Sequence, residues 1–292
     1  MRRILLVLFL LSCTGLGAAR AQGPGEPGRV LWPYFSYPPF VVIEEDGEPG
    51  GLYWEVRERL WERLPEYAHV PLESPFTRSM LGVREGGRYC FTGILKTPER
   101  ELELVFSRPF SVGLPHVVVC RQRELDAYKE NGAVSLVRLL ADRRLVFGLV
   151  DGLSHGPTLD AIIAPHRDEE HVFTVRRMRP MALQFNLVRA GRTDFFLSHG
   201  FQASYESRLH GGEGLEFVPV IEDGEPFPVY VACSAGPWGG EIIGRIDAIL
   251  EESVADPAFE GLFLDGLDQR LRPAFQGAYD HLVLGGVPPV GP

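Results

Sequence analysis

Gly93-Ile94-Leu95-Lys96-Thr97-Pro98-Glu99-Arg100-Glu101, followed by Phe106-Ser107-Arg108-Pro109-Phe110, is the stretch on which the reading of this 292-residue chain turns. An apolar run from Tyr89 to Leu95 reads as a strand, and Thr92-Gly93 lies at its carboxyl end. Thr97 then offers a capping hydroxyl ahead of Pro98, the pairing that opens a helix. Arg100 falls in the first turn of that helix. A strand end that meets a helix start exposes backbone amides, and such a place favours an anion.

Working outward, Leu52, Val56, Leu60 and Leu64 recur four apart, with Glu55, Arg57, Glu58 and Arg63 off that line. The spacing predicts an amphipathic helix that Pro65 stops. Before it come a strand at Val30-Leu31-Trp32, a break at Tyr37-Pro38-Pro39-Phe40, a run Val41-Val42-Ile43 and a turn at Glu45-Asp46-Gly47-Glu48. After it come a strand at His69 to Leu72 and a helix at Ser79 to Glu85. This alternation predicts a parallel sheet with helices on its faces.

A second α/β unit begins after Phe110. Strands are predicted at Val117 to Cys120, Arg144 to Val150, Val172 to Thr174, Thr193 to Leu197, Leu215 to Val220 and Val229 to Cys233. Helices are predicted at Val134 to Leu140, around Ala161 and at Met181 to Arg189. Beyond Pro237, Ile242, Ile243, Ile246, Ile249, Leu250 and Val254 form a broad apolar helical face.

Arg2 and Arg3, the apolar run Ile4 to Leu11, and Ala19-Arg20-Ala21 have the three-part form of a signal peptide, so residues 1–21 are expected to be removed. A rival reading takes Leu10-Leu11-Ser12-Cys13 as a lipobox, with Cys13 acylated. Loss of Arg2, Arg3 and Arg20 moves the formal charge from -10 to -13. So acidic a chain has no basic footprint for nucleic acid. Export permits a disulfide among Cys90, Cys120 and Cys233, with three possible pairings. Cys120 and Cys233 each end an apolar run, which makes them the preferred pair; buried thiols are the alternative. The eight histidines show no metal-ligand spacing, His166 and His171 being five apart in a charged loop, and no metal or cofactor is expected.

The opening stretch resembles a segment of the type II, family 3 extracellular solute-binding proteins, in which a strand end leads to Thr-x-x-Arg and then to Phe-Ser-x-Pro-Phe/Tyr. Other landmarks follow in that family's order: Tyr37-Pro38-Pro39-Phe40, Asp46-Gly47-Glu48-Pro49-Gly50-Gly51-Leu52, Gly148-Leu149-Val150-Asp151-Gly152-Leu153-Ser154 and Gly191-Arg192-Thr193-Asp194-Phe195. The resemblance covers nearly all of residues 29–280. It implies an α/β fold of the periplasmic binding protein type II kind, two lobes joined by two hinge crossings with a ligand cleft between them. Lobe one would take residues 22–111 and 236–284, lobe two 112–235, with 285–292 a tail.

By the same resemblance Arg100 grips a ligand carboxylate with its planar fork; the alternative is surface pairing with Glu99, Glu101 or Glu103. Tyr37 and Phe40 are candidates to cover one ligand face, or else to pack beside Trp32. Phe76 is a candidate second wall and Arg78 a second cation. Thr92, Gly93 and Ser154 offer hydroxyls and amides, Ser154 being equally a helix cap, and His155 is a further polar candidate. The family's amino-acid receptors hold the α-ammonium with an acidic residue a few positions after Gly-x-x-Asp, where this chain has His199. A neutral imidazole lacks the charge that offsets an ammonium's desolvation. The expected ligand is therefore a small polar carboxylate or other anion, bound for ABC-type uptake or sensing by a monomer with a permease or membrane sensor as partner. Competing readings are a dehydratase- or lyase-like enzyme using His155 or His199, and a partner-binding module without a working pocket.

Overall fold

The computed structural model describes residues 28–44, 47–151, 153–175 and 180–285. The signal-peptide and Cys13 readings, Gly152, and the tail beyond 285 lie outside them.

The first sheet begins with β1 (Gly28–Tyr34), which leads through the Tyr37–Phe40 loop to helix α1 (Leu52–Arg63). Strand β2 (Tyr67–Glu73), helix α2 (Phe76–Arg84), strand β3 (Cys90–Ile94), the short helix α3 (Pro98–Glu101) and strand β4 (Leu104–Gly113) follow. The second sheet takes β5 (His116–Arg121), helix α4 (Leu136–Ala141), β6 (Phe147–Val150), helix α5 (Pro157–Ile163) and β7 (Val172–Val175). It is completed by helix α6 (Pro180–Arg189), β8 (Phe195–His199), helix α7 (Gly200–His210) and β9 (Leu215–Pro219). Strand β10 (Phe227–Ser234) and helices α8 (Pro237–Val254), α9 (Pro257–Gly266) and α10 (Arg272–Tyr279) end the described chain.

The sheets are mixed, which corrects the expectation of parallel ones. β1 and β2 run parallel, a parallel bridge from Leu31 to Tyr89 sets this pair beside β3, and β10 lies antiparallel between β3 and β4. In the second sheet β7, β6 and β8 are parallel, while β5 is antiparallel to both β8 and β9. The strand expected at Val229 to Cys233 in the second unit therefore belongs to the first sheet. The chain crosses over before Phe227, not at residue 236, because the open edges of β3 and β4 need a partner for their backbone groups. The run Phe106 to Phe110, not assigned as a strand from sequence, lies inside β4. Its proline is accommodated where the β4–β10 register slips opposite Pro109, and there the Ser107 hydroxyl accepts a bond from Val231 N at 3.0 Å.

Two cores result. β5 sends Val117 and Val119 into the large core shared with Phe110, Phe201 and the C-terminal helices, and sends Val118 and Cys120 into a second core with Phe147, Leu159 and Ile163. This is the period-two alternation of a strand buried on both faces. The C-terminal helical segment also ties to the second α/β unit, through Arg270 Nη1 to Leu215 O of β9 at 2.6 Å and Asp268 N to Ser204 Oγ of α7 at 2.9 Å.

The preferred Cys120–Cys233 bridge is corrected. Cys233 bonds Cys90, its register partner across β10 and β3, with the Cα atoms 4.1 Å apart. Cys120 stands on β5 of the other sheet as a buried free thiol, so no disulfide reaches it.

Candidate functional site

A cleft of about 420 Å³ opens where β3, the Tyr37–Phe40 loop, the β4–β5 connection and the end of β8 converge. That volume suits a small metabolite. Seven of the residues singled out by sequence line it: Tyr37, Phe40, Phe76, Thr92, Gly93, Arg100 and His199.

Each is placed by local chemistry. Thr97 caps α3 by accepting from Arg100 N at 3.4 Å, and Arg100 Nη1 donates to Leu95 O at 2.7 Å. The Arg100 guanidinium lies 5.0 Å from the Phe76 ring centroid, so Phe76 supports the cation from one face. Partial burial draws the Arg100 pKa down from its ordinary value. Gly93 has φ 82°, and a Cβ there would stand 2.1 Å from the Tyr53 ring, so only glycine fits. Phe40 is buried between two rings, 5.4 Å from Tyr37 and 4.5 Å from Tyr53, whereas Tyr37 is exposed at the rim. Neither packs beside Trp32, whose ring neighbours are Trp61 and His69.

The other three candidates stand elsewhere. Arg78 is exposed on α2 and outside the cleft lining. Ser154 Oγ donates to Asp160 Oδ2 at 2.5 Å and accepts from Gly156 N at 3.2 Å, an arrangement that fastens the start of α5. His155 is buried one residue on, its backbone amide donating to Asp160 Oδ1 at 2.8 Å.

His155 belongs instead to a cluster that sequence spacing does not reveal. His116 and His199 are register partners across β5 and β8, with rings 3.8 Å apart, and His155 lies 5.1 Å from His116. Asp223 Oδ2 accepts from the His116 backbone amide and lies 3.1 Å from its Nδ1, while the buried His116 Nε2 has no partner. Burial first, and then the neighbouring His116, lowers His199 to about 3 and His155 to about 4. Both imidazoles are therefore neutral at pH 7.

Arg57 is the other residue that sequence missed. Although it lies off the apolar line of α1, it is 1% exposed and lines the cleft. Asp194, matched by sequence to a turn, accepts from Val146 N at 2.7 Å and from Arg121 Nη2 at 2.7 Å. Among the described residues no aspartate or glutamate lines the cleft.

The expectation that the histidines show no metal-ligand spacing is amended at His166 and His171, whose ligand atoms lie within 4.8 Å of one another and of Glu169. Glu169 Oε2 lies 3.1 Å from His166 Nδ1 and 3.3 Å from His171 Nδ1, and Glu169 Oε1 lies 3.2 Å from Arg143 Nη2. The carboxylate thus has a cationic partner of its own.

The fold is that of the type II periplasmic binding proteins, whose two α/β lobes enclose a solute. An ancestral cationic amino-acid solute-binding protein superposes with a TM-score of 0.64 at 16% identity, covering 83% of this chain and 96% of that one. The second substrate-binding domain of Lactococcus lactis GlnP, in open conformation, superposes with a TM-score of 0.57 at 15% identity over 84% and 97% of the two chains. The unliganded, open L-cystine solute receptor of Neisseria gonorrhoeae does so with a TM-score of 0.57 at 17% identity over 82% and 93%. No family model matches the sequence, and no curated protein matches it. At such identities the likeness carries the fold and nothing finer.

Proposed function

We propose that the protein captures a small carboxylate-bearing or otherwise anionic solute between its lobes, outside the cytoplasm, for ABC-type import or for sensing. The observation that carries this is the composition of the cleft: Arg100, with its planar fork supported on Phe76, shares the lining with Thr92 and Gly93 and with no acidic side chain among the described residues. A carboxylate satisfies such a guanidinium in bidentate fashion. An α-ammonium finds only the neutral imidazole of His199 where an acid would be needed. Capture requires lobe closure about the two crossings near Gly113 to His116 and before Phe227, a hinge motion. Export is supported by the basic, apolar and small-residue order of residues 1–21. Among the described residues no helix is long and apolar enough to cross a membrane.

A thermal-shift screen of polar metabolites, followed by calorimetry of the hits, tests the proposal, since a ligand of the native state raises its midpoint. Carboxylates are expected to raise it and to lose their effect in Arg100→Ala. Tight binding of an ordinary L-amino acid, unchanged by His199→Ala, would sink the anion reading.

One observation favours a second reading. His116, held by Asp223 and with Nε2 unpaired, touches His199 at the cleft wall, an arrangement suited to moving a proton. One structural neighbour, with a TM-score of 0.55 at 16% identity, is an ancestral amino-acid-binding protein described as a precursor of cyclohexadienyl dehydratase. Turnover of hydroxy-acid or prephenate-like compounds, abolished in His116→Gln, would establish an enzyme; unaltered compounds would dismiss it.

A further inference from the structure

We propose that Arg57 is a second anion-binding residue of the same cleft, so that the captured solute carries two acidic groups, one for each guanidinium. The inference rests on the capture reading and goes past it to the class of ligand. Arg57 projects from α1 and is 1% exposed, yet it lines the cleft. Its Nη2 donates to Pro33 O at 3.1 Å, and its Nε reaches Thr92 Oγ1 only at 3.5 Å. Its guanidinium carbon lies 5.0 Å from the Trp54 centroid and 5.9 Å from that of Trp32. Nη1 has no hydrogen-bond partner, and among the described residues no carboxylate pairs with the side chain, whose one titratable neighbour is Tyr34.

A buried cation without a counter-anion is costly, and two tryptophan faces with one carbonyl recover only part of that cost. Burial draws its pKa down to about 9, which still leaves the group charged at pH 7. A residue placed only to fill space between Trp32 and Trp54 would do so better as methionine. The charge has a use if the counter-anion arrives with the ligand. Thr92 links the two cations, since its hydroxyl faces Arg57 while Thr92-Gly93 leads on to the Arg100 turn. A diacid uses both guanidinia and asks nothing of the acid that the cleft lacks. The aromatic lining from Phe35, Tyr53, Phe91 and Phe227 suits an apolar frame between the two acidic groups.

Calorimetry on the full chain with succinate, glutarate and phthalate, each against its monoamide, tests this. At least one diacid should bind tenfold or more tighter than its monoamide, and Arg57→Met should erase that difference. Arg57→Lys keeps the charge without the fork and should restore part of it. In the ligand-free protein Arg57→Met should raise the thermal midpoint. A diacid that binds no better than its monoamide, or a preference that survives Arg57→Met, overturns the inference. So does a ligand-free midpoint lowered by that substitution, which would make the guanidinium structural. Carboxylate binding that Arg100→Ala abolishes, with no gain from a second acid, sinks this inference and leaves capture standing. No binding by any carboxylate sinks both.

Discussion

Gly93 stands where β3 runs out into the cleft, and its φ of 82° together with the Tyr53 ring 2.1 Å from any added Cβ leaves no room for a side chain. Gly93→Ala combines a left-handed backbone strain with overpacking, so it should cost about 1–3 kcal/mol in a denaturant titration. It should also weaken ligand binding, because Tyr53 must shift into the cleft. Arg100 lies on the other side of the same turn. Truncating a guanidinium that holds a carboxylate typically costs about 2–5 kcal/mol. Calorimetry should therefore show Arg100→Ala binding a carboxylate ligand at least about 30-fold more weakly, since every 1.4 kcal/mol is tenfold. Arg78, exposed on α2, should give a near-neutral alanine variant in both measurements.

At the scale of the element, the Cys90–Cys233 bridge fastens β3 to β10, and β10 holds the first sheet together by pairing with β4 on its other side. The bridge closes a sequence separation of 143 residues. Removing it should cost about 2–5 kcal/mol on the usual scale for native disulfides. Thermal unfolding with and without reductant reads the loss directly. Cys120 is fully buried on β5, where burial and the nearby Glu216 push its thiol up to about 12. Native protein should therefore leave one thiol per chain among these three cysteines unlabelled by an alkylating reagent until it is unfolded.

For the whole molecule, pH couples the cleft wall to stability through His155 and His199. An imidazole whose folded-state pKa lies below its unfolded value of 6.5 takes up its proton more readily when unfolded, so acid favours the unfolded chain. From about pH 6.5 down toward the folded values of about 4 and about 3, each ring takes away about 1.4 kcal/mol per pH unit. Asp223 acts in a lower window: its pKa lies below 3.8, so its contribution is present above that value and is lost only as pH falls through the folded one. The thermal midpoint should be flat between pH 7 and 8 and fall below 6.5. His199→Gln, which removes one titrating ring, should make that fall shallower.

Much of this architecture was legible along the chain because it is local. The four-residue spacing of Leu52, Val56, Leu60 and Leu64 marks α1, and Thr97-Pro98 marks the turn that presents Arg100. Strand register and sheet membership are not local quantities. Val229 to Cys233 reads as a strand, but its place between β3 and β4 follows from which edges were left unpaired, and that place in turn joined Cys233 to Cys90 and left Cys120 alone. Arg57 shows the same division. Its charge put it off the apolar line of its helix, and only the closing of Trp32, Trp54 and Thr92 around it made it a buried cation in the cleft. His116 and His199 lie far apart in the chain and meet because β5 and β8 pair antiparallel, while the segment between β6 and α5 brings His155 against His116. The sequence by itself determined α1, the apolar face of α8 and the Arg100 turn, since neighbouring residues decide those. The tertiary structure alone decided the disulfide, the histidine cluster and the second guanidinium of the cleft, since burial and pairing depend on what distant segments leave open.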